Sequence, residues 1–385
     1  MIQPGFHAPT WPSGSHNLLL RAALHPDPAT ATNAWRQWRT AQDFDRIDYA
    51  SIRLVPLLLR RITELGLNDP NAGRYRGLHR RAWVRSQQLF QRIRQVIEGL
   101  AAEGIPTLVL KGAALAPTFY GDTGLRPMGD ADLLVPHAQA SRAIDWFVRI
   151  GWKTDPPQDP AFLRQFHLTH NHAWGFDSGG DQQVDLHWKL LHVGTHPSLD
   201  DRFWRDAIDL RLPGITARTL SPTHHLFHAC IHGVPFCPVP SLRWIADAAF
   251  ILRSSPTPID WPEFLRCTAD FQVSVLATHA LAWLRQEMDA PIPGAVLAEL
   301  HSRTPAPWES AEFQHLAHNP PSLHPAFLWH RHQRQFALHP DPAHPTRFGS
   351  YLAFVATRWD LSSRWELPVS FAEKTLQFVR HRISR

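Results

Sequence analysis

Two acidic residues on alternate positions at the entrance to an apolar run restrict this chain more than anything else in it: Gly129-Asp130-Ala131-Asp132-Leu133-Leu134-Val135. On a strand, with its period of two, Asp130 and Asp132 share one face and point the same way. An Asp-x-Asp in a surface turn carries little information. Followed by buried apolar residues it carries more, because carboxylates entering such a run are costly to bury without a partner.

The surroundings read as mixed α/β. Residues 105–110 form a short apolar run that suits a buried strand, and Lys111-Gly112 ends it. Ala113, Ala114 and Ala116 around Leu115 favour a following helix, and residues 121–129 a loop. A helix is expected over 141–150, a strand near 173–176, a turn at Gly179-Gly180 and a further strand over 183–188. That last segment supplies a third carboxylate, in Val184-Asp185-Leu186.

Both flanks have helical spacing. Leu89, Phe90, Ile93, Val96, Ile97 and Leu100 recur on one helical face before Gly104, and residues 52–67 make another helix with Pro56 near its start. Beyond Ser221-Pro222, a capping serine and a first-turn proline, the helical pattern returns through 226–230, 244–252 and 276–284. Residues 303–345, rich in Pro and His, are expected to be irregular, with a last helical portion from Phe348. The chain thus reads as an α+β fold: a helical region 1–104, a core with a small mixed sheet over 105–215 and a helical region 216–385. No repeat of fixed period is present.

With 44% hydrophobic and 19% charged residues the chain is in the globular range. Its net charge of +5 suits an anionic partner, but the basic residues are scattered. The densest group, from Arg74 to Arg94, reads equally as a solvated helix face. Cys230, Cys237 and Cys267 are an odd set that points to a reducing compartment. No run approaches the roughly 18 apolar residues of a membrane span, so a soluble, cytoplasmic protein is expected.

Moving a nucleotidyl group from a nucleoside triphosphate requires neutralising several negative charges while a hydroxyl approaches phosphorus in line. Two carboxylates alternating on a strand and a third from a neighbouring strand make the oxygen-rich shell that magnesium demands. Glycine at position 112 lets the backbone approach phosphate, and a helix N-terminus behind it adds N–H donors.

Three further motifs surround this pattern: Leu110-Lys111-Gly112-Ala113-Ala114-Leu115, Tyr120-Gly121-Asp122, and Leu125-Arg126-Pro127-Met128 leading into Gly129-Asp130. Together they resemble the signature of the uncharacterised bacterial nucleotidyltransferases of the polymerase-beta-like superfamily. Val184-Asp185-Leu186-His187-Trp188 is similar to that family's third acidic motif. Residues 224–232 and Leu242-Arg243-Trp244-Ile245-Ala246-Asp247 resemble its helical C-terminal part, so the likeness extends over about 78–252.

What the resemblance implies is a sheet packed on helices, Gly112 at the triphosphate, and Asp130, Asp132 and Asp185 at magnesium, with manganese as the alternative ion. Asp185 would hold a second metal or act as general base, and Lys111 and Arg126 would offset phosphate charge. Much of the superfamily has Gly-Ser or Gly-Gly where this chain has Gly112-Ala113, which leaves phosphate binding to backbone amides and cations. The stretch from Gly112 to Asp130 also looks longer than in minimal members.

Several assignments stay open at this level. Lys111 also reads as a solvated strand end, and Arg126 as a partner of Asp122 or Asp130. His187 and Trp188 suit either a base or acceptor contact or, for the Trp, core packing. The expected substrate is a nucleoside triphosphate such as ATP. The acceptor is a small molecule, a peptide side chain or an RNA end, and oligomeric state is not legible. The second reading is a non-catalytic nucleotide-binding partner that retains the fold. A third is a zinc hydrolase built on the helical His224, His225, His228 and His232; His167, His170 and His172 also have a spacing that could ligate zinc. Among 25 histidines chance clusters are expected.

Overall fold

A computed structural model describes residues 11–12, 14–179, 183–192, 197–233, 242–318, 325–338, 346–359, 361 and 364–373. The described residues before Leu108 are mainly helical: Ser15–Leu24, Pro28–Ala41, Tyr49–Ile52, Val55–Glu64 and Ala72–Ala102. Asp27 caps the second of these, its side chain accepting from the Thr30 amide, and Pro28 takes the first-turn position where no amide hydrogen is needed. Pro56 likewise sits in the first turn of Val55–Glu64. The Ala72–Ala102 helix buries Leu89, Phe90, Ile93, Val96, Ile97 and Leu100, the predicted stripe, and stops at Gly104, whose φ of +70° suits glycine.

Seven strands follow: β1 (Leu108–Leu110), β2 (Asp130–Leu134), β3 (Lys153–Asp155), β4 (Ala173–Asp177), β5 (Gln183–His187), β6 (Ile208–Leu212) and β7 (Ile215–Thr219), in the sheet order β3-β4-β5-β2-β1-β7-β6. β2 runs antiparallel to β1 and parallel to β5. The fold is α+β, as expected, with three strands that the sequence reading did not anticipate. β3 is three residues long and mostly exposed. β6 and β7 form a hairpin that pairs Leu212 with Ile215 around Pro213-Gly214, with Gly214 at φ +79°.

The pleat separates two chemistries. Ala131, Leu133, Val184 and Leu186 face a core shared with the Ala72–Ala102 and Ala140–Arg149 helices. On the opposite face, Asp130 is register partner of Gln183, Asp132 of Asp185 and Leu134 of His187. That face, with Leu108 and Leu110, meets a second core built from both helical flanks, including Leu57, Leu58, Phe227 and Ile245.

The Pro222–Gly233 helix leaves the end of β7 directly. Thr219 Oγ1 lies 2.6 Å from the Val109 carbonyl and 2.9 Å from His225 Nε2, which ties helix to sheet. Helices Arg243–Ser254, Trp261–Asp270, Ser274–Met288 and Gly294–Ser302 complete this side. The segment expected to be irregular contains helices Pro307–His318 and Pro325–Leu338. Proline begins each of them, so residues read as breakers are helix starters here. Helix Arg347–Arg358 follows, and residues 367–373 are again helical. No helix among the described residues is long and apolar enough to cross a membrane. Cys230 and Cys267 are buried free thiols, and Cys237 lies outside the described residues.

Candidate active site

The site is assembled where β1 ends, β2 begins and β5 runs beside it. Lys111 follows β1 with φ +46°, a left-handed conformation that strains a residue with a side chain. Its Nζ donates to Asp132 Oδ1. His187 Nε2 lies 3.1 Å from the same oxygen. Asp132 is only 4% exposed. Burial disfavours its charge, but the Lys111 ammonium and His187 outweigh that and hold its carboxyl well below the usual carboxylate range.

Asp185 behaves in the opposite way. Burial, and next the facing Asp132 carboxylate, push its pKa up to about 7. One acid of the register pair is thus fixed as the anion, while the other exchanges its proton near neutrality. Gly175, opposite Asp185 on β4, lets the β3 backbone come close. A Cβ there would stand 2.3 Å from the Asp155 carbonyl oxygen and 3.3 Å from Asp185 Oδ1.

In front of Asp130 and Asp132 is a cavity of about 220 Å³, whose walls include Lys111, Gly112, Arg126, His228, His232 and Arg243. Asp185 does not line it; ligand atoms of Asp132, Asp185 and His187 lie within 4.8 Å of one another beside it. A Cβ on Gly112 would stand 1.9 Å from Arg126 Nη1 and 2.8 Å from the Met128 side chain, so the guanidinium lies directly over the glycine. Ala113, buried, turns its backbone into the following helix.

Arg126 pairs with neither Asp122 nor Asp130, the two partners the sequence suggested. Asp247, on the Arg243–Ser254 helix, receives its Nε at 2.7 Å and its Nη2 at 2.8 Å, and Tyr120 donates to the same carboxylate at 2.5 Å. Asp122 is engaged by His79 at 2.7 Å. Arg243 has no hydrogen bond or ion pair among the described residues, and burial, with the nearby Arg126 and Arg53 guanidiniums, pushes its pKa down to about 10. Such a half-buried cation suits an anionic ligand.

The histidines do not form the zinc sets that their spacing suggested. His224 turns to Glu263 at 3.2 Å, where Arg202 already supplies a cation, and His225 goes to Thr219. His228 and His232 stack at 5.0 Å between ring centres, both kept neutral mainly by burial. Of the earlier trio, His167 lies against Asn171, His170 near Gln335, and His172 5.2 Å from the His187 ring. Trp188 is a core residue whose indole donates to the Asn171 carbonyl at 2.9 Å.

Residues 49–288, more than half of the chain, match the family described as uncharacterised nucleotidyltransferase. The chain belongs to that family. It is therefore a transferase enzyme of nucleotidyl groups, and the match is wider than the 78–252 resemblance of the motifs. No curated protein matches it. Nucleotidyltransferases as a class use divalent metal ions, and the acidic and histidine side chains around Asp132 are a donor set able to hold one. Arg243, Asp247 and Gly175 are the residues of this candidate site to which sequence reasoning gave no role. Asp247 stood in a quoted motif, and a lone acid in an otherwise apolar helix turn was the signal.

Proposed function

We propose that this protein transfers a nucleoside monophosphate from a nucleoside triphosphate to a hydroxyl or phosphate acceptor, with release of pyrophosphate and dependence on magnesium or manganese. The observation that carries the reading is the Asp132–Asp185 register pair at a cavity lined by Asp130 and Asp132 together with Lys111, Arg126 and Arg243. Lys111 on Asp132 marks a place where positive charge is at home, which is the fit expected of a cation site. When bound, the divalent ion supplies charge neutralisation at the phosphates.

The chain's own groups account for the remainder. Asp130 and Asp132 would hold the cation and orient the triphosphate, and Gly112 gives the Arg126 guanidinium room to lie against the backbone at the cavity wall. Lys111, the free Nη1 edge of Arg126, and Arg243 offset charge on the β and γ phosphates. Asp185, with its pKa near neutrality, accepts the acceptor's proton as that oxygen bonds to the α-phosphorus. The bond from the α-phosphorus to the bridging oxygen then breaks, and pyrophosphate leaves with the electron pair. His187 holds Asp132 from beneath. The acceptor class is a small molecule, a peptide or RNA.

The test is incubation with each α-labelled triphosphate, magnesium and a cell extract as acceptor source. Expected are pyrophosphate and a labelled product, both abolished by Asp132→Asn. Triphosphate binding without pyrophosphate release from any of the four would leave the alternative, a nucleotide-binding partner protein, in place.

A further inference from the structure

The donor atoms gathered around Asp132 are not three carboxylates. Those of Asp132, Asp185 and His187 lie within 4.8 Å of one another, and Asp130 is outside that set. Asp130 lines the cavity in front of Asp132. His187, two residues beyond Asp185 on the parallel strand, instead leans back across the pair to Asp132.

The separation of 3.1 Å between His187 Nε2 and Asp132 Oδ1 has a second meaning. In an octahedral shell with bonds of about 2.1 Å, neighbouring donor atoms stand about 3.0 Å apart. The two atoms are therefore spaced as adjacent ligands of one ion. Lys111 Nζ on the same oxygen turns to the phosphates when an ion takes its place. For Nε2 to offer its lone pair, the ring proton must reside on Nδ1. That atom is buried, and the ring's hydrogen-bond interaction with the Lys189 backbone favours a proton there; the bond given up is the one between Nε2 and Asp132.

Resting on the metal-dependent reading above, we propose that His187 is itself a metal ligand alongside Asp132, which leaves the neighbouring Asp185 as the proton acceptor. This nitrogen donor shifts the site's preference from magnesium towards borderline divalent ions; manganese, the member of that series least drawn to nitrogen, shows the smallest such shift and serves as the paramagnetic probe. Magnesium demands oxygen donors and dehydrates reluctantly, whereas imidazole raises affinity for transition ions. Asp130 is left to face the cavity and the phosphates.

The experiment uses the full chain and manganese(II) alone. Binding is read from loss of the free-ion paramagnetic resonance signal, and ligation from electron spin-echo modulation by directly bonded nitrogen-14. Expected is one bound ion showing nitrogen modulation, converted to the nitrogen-15 pattern when the protein carries nitrogen-15 histidine. Asp132→Asn abolishes binding at this site. His187→Gln keeps the ion, loses the modulation and weakens manganese about 10-fold while magnesium changes less than about 3-fold. A bound ion without nitrogen modulation, or modulation that persists in His187→Gln or Asp132→Asn, overturns the proposal and leaves the nucleotidyl-transfer reading standing. No manganese bound at all removes both. The isotope arm needs no substitution, so a poorly folding variant does not blunt the test.

Discussion

Arg126 and Asp247, 121 residues apart, are joined by two hydrogen bonds of 2.7 and 2.8 Å in a setting where both are less than a tenth exposed. The pair couples the loop before β2 to the Arg243–Ser254 helix. Removing one partner strands the other, and Tyr120 with it, at a cost of about 3–5 kcal/mol. Asp247→Ala should therefore lower the denaturation midpoint markedly, as measured by urea unfolding. Arg126→Met with Asp247→Leu should recover much of the stability and none of the activity. A stable Asp247→Ala protein would mean that the pair does not hold the loop.

Gly112 lies under the Arg126 guanidinium with no room for a methyl group. Gly112→Ala should displace Arg126 or Met128, costing about 1–3 kcal/mol of stability. Turnover should fall about 100-fold, since small misplacements of reacting groups carry penalties of that size. Comparing thermal melting with single-turnover rates for the variant checks both; an unchanged rate would show that the placement of Arg126 does not govern turnover.

Asp185 makes a prediction about pH whose sign is fixed. Its carboxyl titrates at about 7 in the folded chain against an ordinary 3.8, so the folded state binds that proton more tightly. Its favourable contribution is fully present below about pH 4 and is lost as pH rises through 7. Asp200 and Lys189 titrate in the same range, so the difference between wild type and Asp185→Asn isolates the group. In metal-free buffer, Asp185→Asn should melt about 2 °C or more above wild type at pH 8 and alike at pH 4. It should also lose about 100-fold or more in turnover, together with the rising limb of the pH–rate profile near 7.

Arg243 should separate stability from substrate binding. Lacking an ion pair among the described residues, its half-buried guanidinium contributes little to folding. Arg243→Ala should therefore melt no lower than wild type while raising KM for the triphosphate about 10-fold or more, consistent with loss of a charge-assisted contact. Steady-state kinetics against triphosphate concentration decide it, and an unaltered KM removes Arg243 from the phosphate contacts.

Much of this site was readable because it obeys local periodicity. Asp130 and Asp132 share a face wherever the strand goes, and Asp185 stands in a second strand of the same alternating character. The helix ending before Gly104 was equally plain, because its stripe spans three turns. Where partners are set by tertiary distance, local pattern was silent: nothing near Arg126 pointed to Asp247. The β6–β7 hairpin was missed although Leu210, Leu212, Ile215 and Ala217 alternate around Pro213-Gly214, since its outward charges resemble a loop. Pro307 and Pro325 misled because proline has the same appearance whether it ends a helix or begins one.

The sheet contributes the acids of this cleft, and the helices after β7 contribute Arg243 and Asp247. A polyanion seated there would be held by both portions of the chain at once, acting as a removable rivet. Substrate abundance in the cell would then set how firmly the two portions stay closed, so an undersupplied enzyme would be opened and cleared sooner than a working one.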